Sequence, residues 1–398
     1  MPQNNFSFYI WQNGLCISYL LRLNQLRQYI LQNGGVETEE AHKADFVLIG
    51  ACGAFLPDFS VYAAKMQDIA KLENTVVVFG CLPIIDRTFF KKNTPRLDLF
   101  VPARYPERIE NIIPPINTPF NKIMIPGIFR KQDYVSFDPT RRFLLIQEGC
   151  TEGCAYCPHQ LSIGAEKSQP LEVLCKQTSE GVAQGVKTFV LEGNNGGSWG
   201  LDLNPKQTYT DMINTITPLL GDAVLHIGDF APKWVRLYGE TLLHPKIVDI
   251  KIPLQTLNGK VLEKLGRDPY SKEMSPLLKK IKEVKPDTFL RTEIIIGLPT
   301  STKEDLVRTL DFVTEHFDKV ACFSFDVHPS CKINKMDIEL YDDKHIAEHI
   351  HFAMDYFDKR PDIKADFDSR GQVLAGITEI ERINMDGVTA EYKKEQES

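Results

Sequence analysis

The sequence predicts an α/β protein with an N-terminal parallel-sheet domain, a partial β/α barrel and a short α+β tail. Three observations predict this organisation. Apolar, β-branched runs alternate with helical stretches in residues 1–112, a second alternating series fills residues 139–331, and residues 332–398 lack that alternation.

Composition narrows the function classes. The chain has 398 residues, 43% of them hydrophobic and 25% charged, which excludes a largely disordered or fibrous protein. No apolar run reaches the roughly 20 residues that cross a bilayer, and no secretory signal is recognisable at the start, so we expect a cytoplasmic protein without a membrane partner. The net charge of −7 does not indicate a nucleic-acid grip.

Nine cysteines are the informative feature of the composition. An odd number in a large chain that is expected to be cytosolic makes a disulfide framework a poor explanation. The cysteines are therefore either inert core thiols or, in part, metal ligands.

In residues 1–112, three cysteines each follow a strand-like run. Cys16 follows residues 6–11, Cys52 follows 45–49 and Cys81 follows 75–80. Helical stretches at 19–33 and 61–72 separate these runs, which predicts a flavodoxin- or Rossmann-like sheet. Loops at the carboxyl ends of parallel strands face one crevice, so the three cysteines could meet there. The alternative is that each is a small buried residue at the end of a strand.

A proline-containing stretch, residues 113–138, is typical of a linker. The second series then begins, and six repeats in this length favour a partial barrel over a complete eightfold one. Its candidate strands are Phe143–Ile146, Thr188–Leu191, Val224–Ile227, Ile247–Ile252, Leu290–Ile296 and Val320–Phe325. Helices are predicted between most of them, for instance at 171–184, 275–284 and 302–316.

A second cysteine trio directly follows the first barrel strand, at the face where barrel chemistry is expected. Cys150, Cys154 and Cys157 have the spacing C-x-x-x-C-x-x-C. Three thiolates on so short a loop can bind a four-iron cluster and leave one iron open. The alternative is a zinc site, with His159 as the fourth ligand. Cys175, Cys322 and Cys331 have no partner at ligand spacing.

The tail, residues 332–398, predicts a helix over 342–359 and a hairpin over 382–391. It contains 10 Lys and Arg against 16 Asp and Glu, a net of −6. Nearly all of the excess negative charge therefore lies in the tail.

The cysteine loop after a first barrel strand resembles the radical S-adenosylmethionine (SAM) enzymes. Residues 6–330 narrow the resemblance to the methylthiotransferases, whose N-terminal domain carries three cysteines in separate strand-end loops. Three further stretches are similar to that family, namely Val190–Gly200, Ile252–Gln255 with Val261–Arg267, and Arg291–Pro299.

The resemblance implies two 4Fe–4S clusters and SAM as both radical source and methyl donor. The cluster on Cys150, Cys154 and Cys157 would bind and cleave SAM, while that on Cys16, Cys52 and Cys81 would hold the sulfur to be transferred. Both clusters would face one cavity, with the first domain capping the barrel. A low-potential electron donor such as flavodoxin or ferredoxin, and a sulfur donor, would be partners.

The same resemblance implies the SAM contacts. Tyr156 would lie near the adenine through its backbone, and Gln255 and Arg267 would make polar contacts. The residues expected at the amino group and ribose are Glu192, Gly193 and Asn194, and those expected at the adenine wall are Ile295, Gly297 and Leu298. For Ile295 and Leu298, barrel core is the alternative.

The chain also departs from the family pattern. Leu15 separates Gly14 from Cys16, and Gly50-Ala51 precedes Cys52 where the family usually has Asn-Thr. Two arginines usual after the second trio are replaced by Ile163 and Gln169. The tail is too short and too acidic for the small β-barrel, the TRAM domain, with which typical members grip tRNA or a ribosomal protein.

The resulting hypothesis is a radical SAM methylthiotransferase acting at an unactivated C–H bond of a macromolecule. A peptide or protein side chain is slightly favoured, because of the tail, over a modified adenosine beside the anticodon of tRNA. A tRNA would need a basic surface, for which the candidates are Lys91, Lys92, Arg96, Arg130, Lys131, Arg141 and Arg142. The remaining alternatives are a non-catalytic Fe–S or zinc protein, and a radical SAM enzyme whose first trio holds no cluster.

Overall fold

The N-terminal domain is a five-stranded, all-parallel sheet. The computed structural model describes residues 6–13, 15–53, 64–65, 67–69, 71, 74–86, 99–129, 137–269 and 274–375. The sheet order is β2-β1-β3-β4-β5. Its elements are β1 (Phe6–Asn13), α1 (Ile17–Gln32), β2 (Gly35–Glu37), β3 (Phe46–Ala51), β4 (Thr75–Gly80), α2 (Leu82–Ile85) and β5 (Leu99–Pro102).

The predicted parallel-sheet domain is confirmed. All six residues of β3 are buried, as a central strand with both faces covered requires. The short strands β2 and β5 were not predicted, since three or four residues carry too little pattern. The helix expected over 61–72 lies mostly outside the described residues.

The second sheet has eight strands in the order β13-β12-β11-β10-β9-β8-β6-β7. All neighbours are parallel except the short β7, which pairs antiparallel with β6. The strands are β6 (Arg141–Glu148), β7 (Lys167–Ser168), β8 (Thr188–Gly193), β9 (Val224–Asp229), β10 (Ile247–Gln255), β11 (Phe289–Ile296), β12 (Lys319–Ser324) and β13 (Lys364–Phe367).

Helices cover the outside of this sheet. They are α3 (Leu171–Ala183), α4 (Tyr209–Ile216), α5 (Pro232–Tyr238), α6 (Gly259–Lys264), α7 (Met274–Val284), α8 (Lys303–His316), α9 (Asp343–Asp358) and α10 (Ser369–Leu374). Capping boxes at Thr208 with Asp211 and at Thr302 with Asp305 fix where α4 and α8 begin. All six predicted barrel strands are present, which confirms the partial (βα)6 barrel.

The first part of the predicted tail is continuous with the barrel. Strand β13 pairs with β12, and Ile346, Ile350 and Phe357 of α9 are buried in the barrel core. Strand β13 was not predicted, because its four residues alternate between exposed and half-buried. The hairpin expected over 382–391 lies outside the described residues, so the proposed domain boundaries stay predictions.

The two domains share one core. Leu20 and Leu23 of α1 lie in the same buried cluster as Phe143, Leu145 and Val190 of the barrel strands. Helix α1 thus packs against β6 and β8 and brings its N-terminus, beside Cys16, to the barrel. In the described part of the chain, no helix is both long and apolar enough to cross a membrane.

Candidate active site

The second cysteine trio lies on a tight loop at the carboxyl end of β6. Gly149 begins this loop with φ +84°, and a Cβ on it would lie 2.1 Å from the carbonyl oxygen of Ala165. The next glycine, Gly153, faces the carbonyl oxygen of Gly266 at 3.0 Å from its would-be Cβ. The loop therefore passes close to backbone on two sides, and this crowding fixes the path of Cys150 and Cys154.

Backbone N–H groups point at the sulfur atoms of this trio. The sulfur of Cys150 accepts from the N–H of Glu152, and that of Cys157 accepts from those of His159 and Gln160. Burial nevertheless dominates, and it raises the pKa of Cys150 to about 12. Burial also raises the pKa of Cys154 and of Cys157.

The first trio converges, although its members are far apart in sequence. Burial raises the pKa of Cys16, and repulsion from the Cys81 and Cys52 sulfurs raises it further, which requires the three to lie close together. Burial and repulsion from Cys52 raise the pKa of Cys81 to about 12, against hydrogen bonds from the Ser162 and Tyr19 side chains. Neither of these hydrogen-bonding residues was singled out by the sequence.

Both trios reach one cavity of about 230 Å³ between the domains. Cys16 lines it from the first domain, opposite Cys150, Cys154 and Cys157 of the barrel. Six of the nine residues predicted to contact SAM also line it, namely Tyr156, Glu192, Gly193, Asn194, Gln255 and Arg267.

The donor set fits iron–sulfur clusters. Thiols with raised pKa values bind metal as thiolates only where cationic metal compensates their charge, and N–H groups aimed at the sulfurs support that state. Each trio supplies three sulfurs, all of them buried or half-buried. Among the described residues, no group of three or more His, Cys, Asp or Glu side chains has the spacing to hold a single metal ion.

The other three predicted SAM contacts lie outside the cavity lining. Leu298 is fully buried in the barrel core, and Ile295 packs against that core. Gly297 adopts φ +85° beside Ile346 of α9. The adenine-wall role of these three residues stays a prediction.

Arg267 links the cavity lining to the cysteine loop. Its Nη1 donates to the sulfur of Cys154 at 3.8 Å, and its Nη2 donates to the carbonyl oxygen of Pro253 at 2.7 Å. Asn194 supports the same loop, since its Oδ1 accepts from the N–H of Gly149 at 2.9 Å. Both side chains hold the loop in addition to facing the cavity.

Gln255 ends β10 in a strained conformation. Its φ of +69° lies in the left-handed region, which a non-glycine residue adopts at a cost. Its buried Oε1 has no hydrogen-bond partner in the described part of the chain. A buried carbonyl oxygen that lines the cavity without a partner is suited to accept a hydrogen bond from a ligand.

A charged layer missed by the sequence reasoning forms the barrel side of the cavity. The Nζ of Lys251 lies 2.7 Å from Asp229 Oδ1 and 3.0 Å from Glu293 Oε1. Loss of water lowers the pKa of Lys251, but these two carboxylates raise it above its usual value. Burial and the nearby Asp229 raise the pKa of Glu192 to about 8. The sequence pattern that could have indicated this layer is the recurrence of charged residues at alternate positions of the predicted barrel strands.

Of the three unassigned cysteines, Cys331 lies nearest to the site. It is buried, and its Sγ donates to the carbonyl oxygen of Tyr156 at 3.3 Å. The neighbouring Ile333 N–H donates to the carbonyl oxygen of Ala155 at 3.0 Å. Cys322 lies in the barrel core, as expected, and Cys175 packs against it.

Comparisons with known proteins agree with this geometry. No protein-family model matches the chain. It is 26% identical over 345 residues to a tRNA-2-methylthio-N(6)-dimethylallyladenosine synthase of Herpetosiphon aurantiacus, covering 83% of this chain and 77% of that protein. It is 29% identical over 313 residues to the ribosomal protein uS12 methylthiotransferase RimO of Thermotoga petrophila, covering 74% and 71%.

Solved structures agree on the fold. The radical S-adenosylmethionine methyltransferase TsrM of Kitasatospora setae matches with a TM-score of 0.60 and 11% identity, over 83% of this chain and 77% of that one. The cobalamin-dependent radical enzyme OxsB matches with a TM-score of 0.54 and 13% identity, over 86% and 56%. In sequence the chain is therefore similar to tRNA and ribosomal protein methylthiotransferases, and in fold it is similar to radical SAM enzymes.

Proposed function

We propose that the chain holds two 4Fe–4S clusters and transfers sulfur or a methylthio group to an unactivated C–H bond of a peptide or protein side chain. The observation that carries the proposal is the shared cavity. Cys16 of one trio and all three cysteines of the other line it, so a substrate carbon held there is within reach of both sites. SAM and the clusters would supply the radical, the methyl group and the sulfur.

The chain's own residues would bind and orient these groups. Cys150, Cys154 and Cys157 would hold the cluster that cleaves SAM, and Cys16, Cys52 and Cys81 the auxiliary one. Arg267 would keep Cys154 in place, since its Nη1 donates to that sulfur at 3.8 Å. The shared core of the two domains would exclude water from the cavity between them.

Carboxyl groups around the cavity would favour SAM over a polyanion. Glu152, Asp229 and Glu293 line it beside Glu192, whose pKa burial raises to about 8, and Arg267 is the arginine in the lining. Acidic side chains suit the sulfonium and ammonium of SAM, but they raise the energy of a nearby phosphate backbone. This charge distribution supports a peptide or protein substrate.

The two candidate RNA-binding arginines that the structure describes do not line the cavity beside the cysteines. Arg141 lines a different cavity inside the barrel. Arg142 donates to the carbonyl oxygen of Gln177 at 3.4 Å and to the Gln184 side chain, and burial lowers its pKa. The other five candidates lie outside the described residues; they are Lys91, Lys92, Arg96, Arg130 and Lys131.

Methylthiolation of a modified adenosine in tRNA is the second candidate. The supporting observation is the synthase of Herpetosiphon aurantiacus, which by its name acts on tRNA and matches this chain over 345 residues. The RimO relatives, by their name, act on a ribosomal protein. We propose further that the protein works in the cytoplasm with a low-potential electron donor and a sulfur donor.

The deciding experiment is an anaerobic incubation of the reconstituted protein with SAM, reductant, sulfide and two substrate sets. One set is unmodified and isopentenylated tRNA, and the other is a library of peptides. We expect a mass gain of one methylthio group in the peptides, lost in Cys16→Ala and Cys150→Ala. Matched control variants are Cys322→Ala and Cys175→Ala, which keep both trios. Modification of tRNA alone would overturn the substrate assignment.

Iron analysis tests the clusters separately from the substrate. Two four-iron clusters require about eight irons and eight sulfides per chain. Replacing Cys16, Cys52 and Cys81 together should halve that content, because the barrel cluster remains. Unchanged iron in this variant would show that the first trio holds no cluster, and zinc without iron would refute the enzymatic reading.

A further inference from the structure

A second cavity lies inside the barrel, at the amino-terminal ends of the strands. Its volume is about 450 Å³, within the range of pockets that take small metabolites. Residues of seven strands, at alternate positions in five of them, line it together with Ile17 of α1, so it lies in the barrel lumen beneath that helix. The lining consists of Ile17, Arg141, Phe143, Val190, Glu192, His226, Gly228, Asp249, Lys251, Phe289, Arg291, Lys319 and Lys364.

This second cavity, called the lumen cavity below, is distinct from the 230 Å³ cavity beside the cysteine trios, called the cluster cavity. Glu192 is the residue that lines both, and it therefore belongs to the partition between them. Arg141, Lys319 and Lys364 are the first residues of β6, β12 and β13. They lie at the end of the barrel opposite the cysteine loop, and Lys364 is exposed to solvent.

The lining presents cations to the lumen. Five of its side chains are Arg or Lys, namely Arg141, Lys251, Arg291, Lys319 and Lys364. Arg291 pairs within the lining, with Asp249 at 2.5 Å. The carboxylates that pair with Lys251 and Lys319 lie outside the lining. Asp229 and Glu293, the partners of Lys251, line the cavity beside the cysteine trios, and Asp366, the partner of Lys319, is exposed.

Arg141 carries an unused donor. Its Nε is buried and has no hydrogen-bond partner in the described part of the chain. The carboxylate of Asp138 is 3.9 Å from its Nη2, beyond hydrogen-bond distance. A buried guanidinium N–H without an acceptor is costly, and an anion in the cavity would satisfy it.

Glu192 and His226, the other titratable groups of the lining, supply no negative charge to the cavity at neutral pH. Burial and Asp229 raise the pKa of Glu192 to about 8, so its carboxyl is mostly protonated. Burial lowers the pKa of His226, which is therefore neutral. Phe143, Val190 and Phe289 give the cavity apolar walls beside its cations.

We propose that the lumen cavity is a binding site for a small organic anion, held through a phosphate or carboxylate group by Arg141, Arg291 and the lysines at the mouth. The apolar walls would contact the body of the ligand. The site stands apart from the reaction proposed above, since it is reached from the other end of the barrel.

Binding can be measured directly on the full-length, cluster-reconstituted protein by calorimetry. The probes are glycerol 3-phosphate and citrate, which separate phosphate from carboxylate recognition, with glycerol as the neutral control. We expect one of the two anions to bind with a Kd of about 1 mM or tighter, and glycerol not to bind. Saturating SAM should leave this binding in place, because SAM would occupy the other cavity.

Variants locate the site. Arg141→Gln and Lys364→Gln should each weaken binding about tenfold, as expected for loss of one charge-assisted hydrogen bond. The matched control is Lys279→Gln, which removes an exposed lysine of α7 that pairs with Glu315. Unchanged iron content and circular dichroism show that each variant is folded. Absence of binding by both anions, displacement by SAM, or equal weakening by the control would overturn the proposal.

Discussion

Removing one member of the ion pair between the two domains should cost far more stability than removing one member of a surface pair. Arg22 of α1 reaches Glu148, the last residue of β6, with Nε 2.9 Å from Oε1 and Nη2 against Oε2. The two side chains are only 9% and 15% exposed. The arginine also donates from Nη1 to Gln25 Oε1 at 2.6 Å, which gives its guanidinium a third hydrogen bond.

Arg22→Met removes one partner and leaves the Glu148 carboxylate largely buried without its charge partner. Loss of one member of such a pair costs about 3–5 kcal/mol, whereas replacing both members by apolar residues is often nearly neutral. Arg22→Met/Glu148→Leu should therefore recover most of the stability lost in Arg22→Met. The coupling between the two positions would then be comparable to the loss in the single variant.

The assay is urea unfolding of the four proteins in the cycle, followed by tryptophan fluorescence. Trp11 reports on the first domain, and Trp199 and Trp234 report on the barrel. The control cycle uses Lys279 and Glu315, an exposed pair 3.0 Å apart, which should show no measurable coupling. An Arg22→Met variant that unfolds at the wild-type urea concentration, or a double variant as unstable as the sum of the singles, would refute this reasoning.

Three further outcomes follow from the site. Gly149→Ala should abolish iron retention by the barrel trio, because φ +84° and a 2.1 Å approach to the Ala165 carbonyl oxygen exclude a Cβ. The control is Gly185→Ala, which has a similar φ of +83° but nothing within 4 Å of its would-be Cβ, so it tests backbone strain alone. Iron content per chain is the measurement for both variants. Glu192→Gln should gain stability over the wild type as pH rises from about 5 to 8, because Glu192 keeps its proton in the folded chain while the unfolded chain releases it. The measurement is the urea midpoint of each cluster-free protein as a function of pH. Wild-type and variant midpoints that stay a constant distance apart over this range would contradict the prediction. Arg267→Met should weaken SAM binding about tenfold and alter the electron paramagnetic resonance signal of the reduced cluster, because the N–H contact with Cys154 is lost; an unaltered signal would count against it.

Much of the fold was predictable because buried parallel strands have continuous apolar runs. Strand β3 is buried along its whole length, and the six barrel strands were placed within a few residues of their observed ends. By contrast β13, with two exposed residues out of four, owes its place to pairing with β12 across the sheet. This pairing could not be predicted from local sequence, because the paired residues of β12 and β13 are 45 positions apart in the chain.

The cysteines were predictable as two trios, but the polar layer beside them was not. Lys251 sits within Ile250-Lys251-Ile252, where an alternating pattern ordinarily indicates a face open to water. In a barrel the second face of each strand is the lumen, so the same alternation places charges inside. Asp229 and Glu293 come from separate strands, and their meeting with Lys251 depends on strand order and register.

The two trios are held in register by links on both sides of the cavity. Arg22 and Glu148 join α1, which begins after Cys16, to the strand end before Cys150. On the other side, Ser330 Oγ donates at 3.2 Å to the carbonyl oxygen of Ile85, the last residue of the short helix α2 that follows Cys81. The next residue, Cys331, holds the carbonyl oxygen of Tyr156 in the barrel loop.

These links tie the stability of the domain interface to the chemistry of the site. Radical transfer requires reacting atoms about 3–3.5 Å apart, and a misplacement of about 1 Å can cost a hundredfold in rate. Removal of one polar link can shift the two trios by that amount while the shared apolar core keeps most of the unfolding free energy. Ser330→Ala should therefore lower the rate of product formation more than it lowers the urea midpoint, and equal losses in both would show that Ser330 serves only stability.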